Sequence, residues 1–434
     1  MDRQTGVLRQ FAACFTDHRN PDRIEHTVTE LISQRVYGLA LGYEDLNDHD
    51  DLRNDPLLAV LVGKADPTGQ DRIDPRDRGK ALAGKSTLNR LELTPVGASA
   101  ESRYKKIVLN THRAEMLFTE FFVQSHPQPP KEIILDLDAT DDPIHGEQLG
   151  RFFHGYYQNY CYLPLYIFCG EQLLWAQLRP SDIDASAGSV KILSKIIDRI
   201  RQVWPQVRIL IRGDSGFCRE NLMAWCERNG VDYLLGLAKN DRLLREIAEA
   251  MAQAKARYQQ TGEAARVFRD FTYQTLTSWS QARRVVGKAE YLSKGENPRF
   301  VVTSLPSAEV EARHLYEDIY CARGEMENRI KEQQLYLFAD RTSAATMRAN
   351  QLRLWFSSLA YVLLSALRRL GLSGTELAGA QCSTIRLKLL KIGAAIKITV
   401  RKVWVSLAES YPYRRIFQQV YENLLRLRPV PLRC

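Results

Sequence analysis

Apolar residues recur at helical spacing in "RIEHTVTELISQRVYGLALGYEDL" and again in "ESRYKKIVLNTHRAEMLFTEFFVQS", which predicts a helical, polar N-terminal region over residues 1–125. Between them "ADPTGQDRIDPRDRG" is rich in proline and charge and reads as a loop or hinge. At "HPQPPKE" the period changes. "IILDLD", "LPLYIF" and "LLWAQL" are apolar runs of strand length, the last two separated by "CGEQ", which reads as a hairpin turn. "SAGSVKILSKIIDRIRQVW" returns to the helical period, and "VRILIRGDSGF" is a strand with a polar exit. "RENLMAWCERNG" reads as a short helix closed by Gly230, and "VDYLLGLAK" as another strand. Strands alternating with helices over 126–240 predict an α/β core. Residues 241–306 hold a helix and then "RVFRDFTYQT", "ARRVVGKAEYL" and "PRFVVTSL", an antiparallel β-rich insertion. From Ser307 onward the pattern is mostly helical, and no internal repeat is found.

A chain of 434 residues implies two to four structural units, and 45% apolar residues are enough to bury substantial cores. The opening "MDRQTGVLRQFAACF" lacks the basic start and apolar stretch of a signal peptide. The longest apolar run, Leu354 to Leu367, is too short to span a bilayer and contains serines, so no membrane association is expected. Eight cysteines are scattered without a CxxC pair, which argues for a reducing, cytoplasmic setting and against disulfides or a zinc ribbon.

Charge changes the picture. A formal net charge of +9 favours a polyanionic partner. From Tyr361 to the end there are thirteen Lys/Arg and only three Glu, a bias that suits DNA binding and a nucleoid-associated location. Arg386, Lys388, Lys391, Lys397, Arg401 and Lys402 lie in "RLKLLKIGAAIKITVRK", where apolar residues can anchor one side of a helix while cations face DNA.

Three motifs are set aside. "GKALAGKS" matches the phosphate-loop pattern around Lys85, but "DRIDPRDR" before it cannot be the buried strand that such a loop requires. "GDSG" places Ser215 as in a serine-protease loop, without the surrounding pattern of paired barrels. "EDLNDHDDLRND" lacks the glycine and distal glutamate of a calcium loop.

What remains is acidic. "EIILDLDATDDP" ends a core strand with Asp136, Asp138, Asp141 and Asp142, which either decorate a solvated loop or hold a cation. Asp136 and Asp138, two apart on a strand, share one face. If the strands are neighbours, Asp214 at the exit of "VRILIRGD" can reach the same ion, and hard carboxylate oxygens suit Mg²⁺ or Mn²⁺. On "LYEDIYCARGEMENRIKEQQ", Tyr320, Arg323, Glu327 and Lys331 project from one side of a helix, as a salt-bridge ladder or as a metal ligand among phosphate-binding cations.

These residues resemble the DDE transposases of bacterial insertion sequences, whose catalytic core has a ribonuclease-H-like fold. "DAT" matches the family's first aspartate at Asp138, and "RGDSGF" its second at Asp214. "YCARGEMENRIKEQQ" matches a Y-x2-R-x3-E-x6-K helix at Tyr320, Arg323 and Glu327. The terminal lysine of that motif falls on Gln334, so Lys331 is assigned its role only by proximity. "HGYYQNYCYLPLYIFCG", "NRIKEQQLYLFADRTS", "ANQLRLW" and "TIRLKLLKIGA" are similar to the insertion-sequence family numbered 1380.

The resemblance implies a helical DNA-binding region at 1–125, a core at 126–240 and the β-rich insertion at 241–306. It further implies a core helix with the catalytic glutamate at 307–343 and a basic helical region at 344–434. It also implies two Mg²⁺ or Mn²⁺ ions held by Asp138, Asp214 and Glu327, about 4 Å apart. Tyr320, Arg323 and Lys331 would contact the phosphate, Asp136 would lend support, and Asp141 and Asp142 would be loop carboxylates. The partners implied are the element's terminal inverted repeats and target DNA, bound by a homodimer. A nuclease without strand transfer and a DNA-binding protein with a dead core are the competing readings.

Overall fold

One mixed sheet of nine strands organises the computed structural model, which describes residues 1–399 and 402–427. Ahead of the sheet, α1 (Val28–Ala40) starts at a reciprocal cap. Thr27 Oγ1 accepts from the Glu30 N–H at 3.2 Å, and Glu30 Oε2 accepts from the Thr27 N–H at 2.8 Å. Its apolar face carries Leu31, Ile32, Val36 and Leu39 inward. α2 (Leu117–Gln124) buries Phe118, Phe121 and Phe122.

The wholly helical expectation for this region is corrected in one place, where Ile107–Leu109 pairs antiparallel with Phe15–Asp17. The segment expected as a loop or hinge is a loop. Buried Arg72 donates to Glu25 Oε2 and to the Lys80 carbonyl, both at 2.8 Å, and so pins the proline-rich segment down.

The sheet begins with β1 (Glu132–Ala139), β2 (Leu165–Cys169) and β3 (Gln172–Gln177). The chain continues through α3 (Ser189–Val203), β4 (Arg208–Gly213), α4 (Glu220–Arg228) and β5 (Asp232–Leu237). Their spatial order is β3-β2-β1-β4-β5, with β1–β4 and β4–β5 parallel and the first two pairings antiparallel. α5 (Ala248–Thr261) leads into β6 (Ala265–Tyr273), β7 (Arg283–Leu292) and β8 (Arg299–Thr303). These strands pair antiparallel, and they continue the same sheet. β8 pairs antiparallel with β5, and the same sheet runs on through β7 to β6, with Gly295–Glu296 against the end of β7.

Strand alternation separates two faces. Ile133, Leu135 and Leu137 of β1, with Ile209 and Ile211 of β4, pack against Ile192, Leu193, Ile196 and Ile200 of α3 and Leu222 and Met223 of α4. The intervening residues, Asp136, Asp138 and Arg212, lie on the opposite face, together with Leu210 and Leu234, which meet Leu315 and Tyr316. α6 (Gly324–Lys331) crosses this face, and α7 (Met347–Ala366) packs beside it on β3.

α7 carries the longest apolar run and is buried on nearly every side. Trp355 Nε1 donates to the Ala176 carbonyl at 2.9 Å, and Gln351 Oε1 accepts from the Leu178 N–H at 2.6 Å. No helix among the described residues is long and apolar enough to cross a membrane.

The helical expectation for the basic C-terminal stretch holds only as far as Leu390. Ala394–Ile398 then pairs antiparallel with Val403–Leu407, because "AAIKI" and "VWVSL" alternate with period two and are rich in β-branched residues. α8 (Arg414–Arg426) follows.

Candidate active site

The parallel register of β1 and β4 sets Leu137 opposite Gly213, so Asp138 and Asp214 emerge side by side where the two strands end. Asp214 is held by its own turn, Oδ1 accepting from the Gly216 N–H at 2.8 Å. The Asp138 side chain is only 16% exposed. Burial raises its carboxyl to about 6; Arg323 opposes this, while the neighbouring Asp214 and Glu327 add to it.

The third carboxylate arrives on a helical run from Ala312 to Tyr336. The run widens into π turns at Leu315–Tyr320 and Glu332–Tyr336 and tightens to a 3-10 turn at Cys321–Arg323. Two contacts fix its path. Arg212 on β4 donates to the Ile319 carbonyl and, through Nη2, to Asp136 Oδ2 at 2.7 Å. Tyr320 lies over Gly236 of β5 so closely that a Cβ there would sit 2.6 Å from the Tyr320 hydroxyl oxygen and 2.9 Å from the Ser215 nitrogen.

From that position Arg323 stands between the carboxylates, Nη1 lying 3.5 Å from Asp138 Oδ1 and Nη2 donating to Glu327 Oε1 at 2.9 Å. Burial alone would pull the guanidinium pKa down; Asp138, Tyr320 and Glu327 outweigh it and hold the pKa above its ordinary value. Lys331 is exposed and makes no ion pair among the described residues.

Gln334 works elsewhere. Its Nε2 donates to Asp142 Oδ1 at 3.0 Å and to the Asp141 carbonyl at 3.1 Å, tying the helical run to the chain just beyond Asp138. Asp142 is therefore not a loop carboxylate. It lies in a short strand, fully buried, with Oδ2 unpaired among the described residues, and burial pushes its carboxyl well upward, which favours the neutral acid. Asp141 is half-buried and accepts from Asn159 Nδ2 at 3.0 Å.

The donor set suits a divalent cation in chemistry and in charge: three hard carboxylates face one guanidinium, an imbalance of two negative charges. Among the described residues no three acidic, His or Cys side chains converge closely enough to ligate one ion, since Arg323 occupies the space between Asp138 and Glu327.

Residues 1–429 match the family described as "Transposase DDE domain group 1". The chain belongs to the DDE-domain transposases. No curated protein matches it significantly. Among solved structures it is similar to the piggyBac transposase synaptic complex with hairpin DNA, determined by cryo-electron microscopy, at 12% identity and a TM-score of 0.42 over 99% of this chain and 84% of that one.

The transposase uses its decoy motifs for other purposes. Asp50 accepts from the Lys85 N–H at 3.0 Å and pairs with Lys85 Nζ at 3.3 Å, so a carboxylate already fills the helix start where a nucleotide phosphate would sit. Ser215 is exposed and bonds to no histidine among the described residues.

The basic stretch of the transposase divides. Arg386 is not a free cation: it donates to the Ala40 carbonyl at 2.8 Å and to the carbonyls of Leu39 and Tyr336, closing the end of α1. Lys388 lies over the Tyr413 ring and Lys391 over Tyr43, at 4.7 and 4.5 Å from the ring centres. Lys397 and Lys402 are exposed on the hairpin, while Arg401 lies outside the described residues. Sequence reasoning missed Arg212 and Gly236, and met Gln334 only as the position on which the motif's terminal lysine falls. Arg212 left a signal, as a charge inside the otherwise apolar "VRILIRG".

Proposed function

We propose that this transposase cuts DNA at the ends of a mobile element and joins the freed 3′ ends to target DNA. In this reading Asp138, Asp214 and Glu327, on a ribonuclease-H-like core, are the ligands for two Mg²⁺ or Mn²⁺ ions. The observation that carries the reading is that Asp138 and Asp214 lie side by side where two adjacent parallel strands end, while the Arg323 guanidinium links Asp138 to Glu327 of α6. Divalent ions bound there supply Lewis-acid stabilisation of charge on the phosphate oxygens and activation of the attacking oxygen.

The chain's own contribution is placement and charge. Asp138 and Asp214 are set by the β1–β4 register, and Glu327 closes the site from the helix that Arg212 and Gly236 position. Arg323 offers a fixed positive charge to a non-bridging phosphate oxygen. Tyr320 lies beside it, and the exposed Lys331, one turn beyond Glu327, meets the flanking DNA backbone. The same arrangement serves water in the cleavage step and the freed 3′ hydroxyl in the joining step, because only the nucleophile changes. Lys388, Lys391, Lys397, Arg401 and Lys402 add backbone contacts. The strings shared with the insertion-sequence family numbered 1380 support that narrower placement and action as a homodimer on paired ends.

The test is to incubate the full chain with Mg²⁺ and DNA carrying the repeats that flank its coding sequence, then map cut ends and joined products. Cuts at the repeat boundary followed by joining of the 3′ ends are expected. Cutting without joining would reduce the protein to a nuclease, and no metal-dependent cutting would overturn the reading.

A further inference from the structure

A second group of charges is enclosed on the far side of α6 from the candidate active site. At ~3.6 residues per turn, Glu332 projects away from the side that carries Glu327. The Glu332 side chain is 2% exposed and that of Glu327 45%. The Glu332 carboxylate receives three donors. Arg368 Nη2 donates to Oε2 at 2.8 Å, Arg329 Nη1 to Oε1 at 3.1 Å, and Cys382 Sγ to Oε2 at 3.1 Å. Burial pushes the Cys382 thiol up, so it stays protonated and able to donate. Arg329 Nη2 also pairs with Glu171 Oε1 at 2.9 Å, and Arg368 Nη1 lies 3.6 Å from the same oxygen. Two arginines thus face two glutamates, Glu332 at the end of α6 and Glu171 in the turn between β2 and β3.

Stability is a poor reason for this arrangement. Taking an arginine and a glutamate out of water costs about as much as their attraction returns, and apolar residues of similar volume often serve better. Arg368 Nε finds no hydrogen-bond partner among the described residues. What the charges add to Met326 and Ile330, the buried apolar residues of α6, is direction. Apolar packing is non-directional, whereas a carboxylate held between two guanidinium groups resists both rotation and sliding. Both ends of the contact lie where a helix widens. Glu332 opens the π turn Glu332–Tyr336 beyond α6, and Arg368 lies in the π turn Leu367–Gly371 beyond α7. Such turns are rare and gather at functional sites. The first lets Glu332 and Gln333 both point inward, Gln333 Oε1 accepting from Ser358 Oγ of α7 at 3.3 Å, while Gln334 still reaches Asp142.

We propose that Glu332 and Arg368 are positioning residues for Glu327: their pair fixes the rotation and axial register of α6, and with them the reach of the Glu327 carboxylate toward Asp138 and Asp214. The inference rests on the reading of Glu327 as a ligand in the cutting site. Trp355 Nε1 of α7 donates to the Ala176 carbonyl of β3, so Arg368 is tied to the same sheet whose β1 and β4 end in the two aspartates. The Arg212 bond to the Ile319 carbonyl holds the entry of the helical run, and the Glu332 pair holds its exit. Fixing both ends matters because a misplacement of ~1 Å at a reacting centre costs roughly a hundredfold in rate.

The experiment replaces the pair by apolar residues of similar size, Glu332→Leu with Arg368→Met, in the full chain. Arg329 keeps Glu171 and Glu325, so no arginine is stranded. Urea unfolding and metal-free affinity for flanking-repeat DNA should stay close to the wild type. Hydrogen exchange of the amides in Gly324–Tyr336 should quicken. Mn²⁺ binding to the DNA complex, read from the paramagnetic resonance signal of the free ion, should weaken by roughly tenfold. Mg²⁺-dependent cutting should fall by roughly a hundredfold. Arg368→Lys covers a double variant that fails to fold: it keeps the charge beside Glu332, gives up the nitrogen near Glu171, and should show the same shifts to a smaller degree. Unchanged exchange over Gly324–Tyr336, or wild-type Mn²⁺ binding and cutting once that exchange has quickened, would overturn the positioning role. Normal cutting by Glu327→Gln would instead overturn the reading of Glu327 itself, and the positioning role with it, even where the exchange had quickened.

Discussion

Asp136 and Arg212 form a forked ion pair on adjacent parallel strands, with Nη2 to Oδ2 at 2.7 Å and both side chains almost without exposure. The remaining Arg212 nitrogen, Nη1, donates to the Ile319 carbonyl, so the pair holds the Glu327 helix against the sheet. Asp136→Ala leaves a buried guanidinium without its counter-charge and should destabilise the protein by about 3–5 kcal/mol. Asp136→Leu combined with Arg212→Met should recover most of that loss in urea unfolding while activity stays low, because the tie to Ile319 is gone. Equal stability of Asp136→Ala and the wild type would remove the pair from this role.

The three carboxylates should separate chemistry from folding. Asp138→Asn, Asp214→Asn and Glu327→Gln each keep side-chain size and should abolish Mg²⁺-dependent cleavage while leaving DNA affinity and the melting temperature nearly unchanged. Asp138→Asn should not lower stability, since it removes a carboxylate that burial already disfavours. Near-normal cleavage by any one of the three would withdraw that residue from the site.

Gly236 is needed for closeness. A methyl group there meets the Tyr320 hydroxyl at 2.6 Å and the Ser215 backbone at 2.9 Å, and forcing room for it should cost about 1–3 kcal/mol. Gly236→Ala should cut poorly, because both Tyr320 and the Asp214 turn must shift. Adding Tyr320→Phe relieves the contact with the hydroxyl but not the one with the backbone, so it should restore stability only in part. Full activity in Gly236→Ala alone would contradict the packing described here.

Acid should weaken the N-terminal region first. His26 and His49 are buried; burial, followed by nearby arginines, lowers each to about 3 from an ordinary 6.5. A folded-state pKa below the unfolded one contributes stability that is complete above about 6.5 and is lost as pH falls toward about 3. Replacing both residues with leucine should flatten the stability curve in that window, read by denaturant unfolding at several pH values. A variant as acid-sensitive as the wild type would assign the loss to other groups.

Lys397 and Lys402 should behave unlike Arg386. Neutralising the two exposed lysines should weaken binding to all DNA sequences alike and lower the slope of log affinity against log salt by about 0.9 per lost contact. Arg386→Ala should instead lower stability, because three backbone carbonyls lose their donor. An unchanged salt slope in the double lysine variant would take the hairpin out of the DNA interface.

The alternation and helical periods in the chain were enough to place β1 to β5 with their intervening helices, because each element buries one face whose residue types repeat at its own period. The same local signals put Asp138 and Asp214 at strand exits and Tyr320, Arg323 and Glu327 on one helix. Tertiary structure alone decided which strands are neighbours. That β1 lies beside β4, and that β8 joins β5 to lengthen one sheet, depends on pairing between residues far apart in sequence. It also decided the fate of individual charges. Arg386 is expected as a cation facing DNA and Asp142 as a loop carboxylate, yet each meets partners, or burial, supplied by distant segments. A charge pattern records which groups a chain carries, and only packing sets the desolvation and the partners that give each group its role.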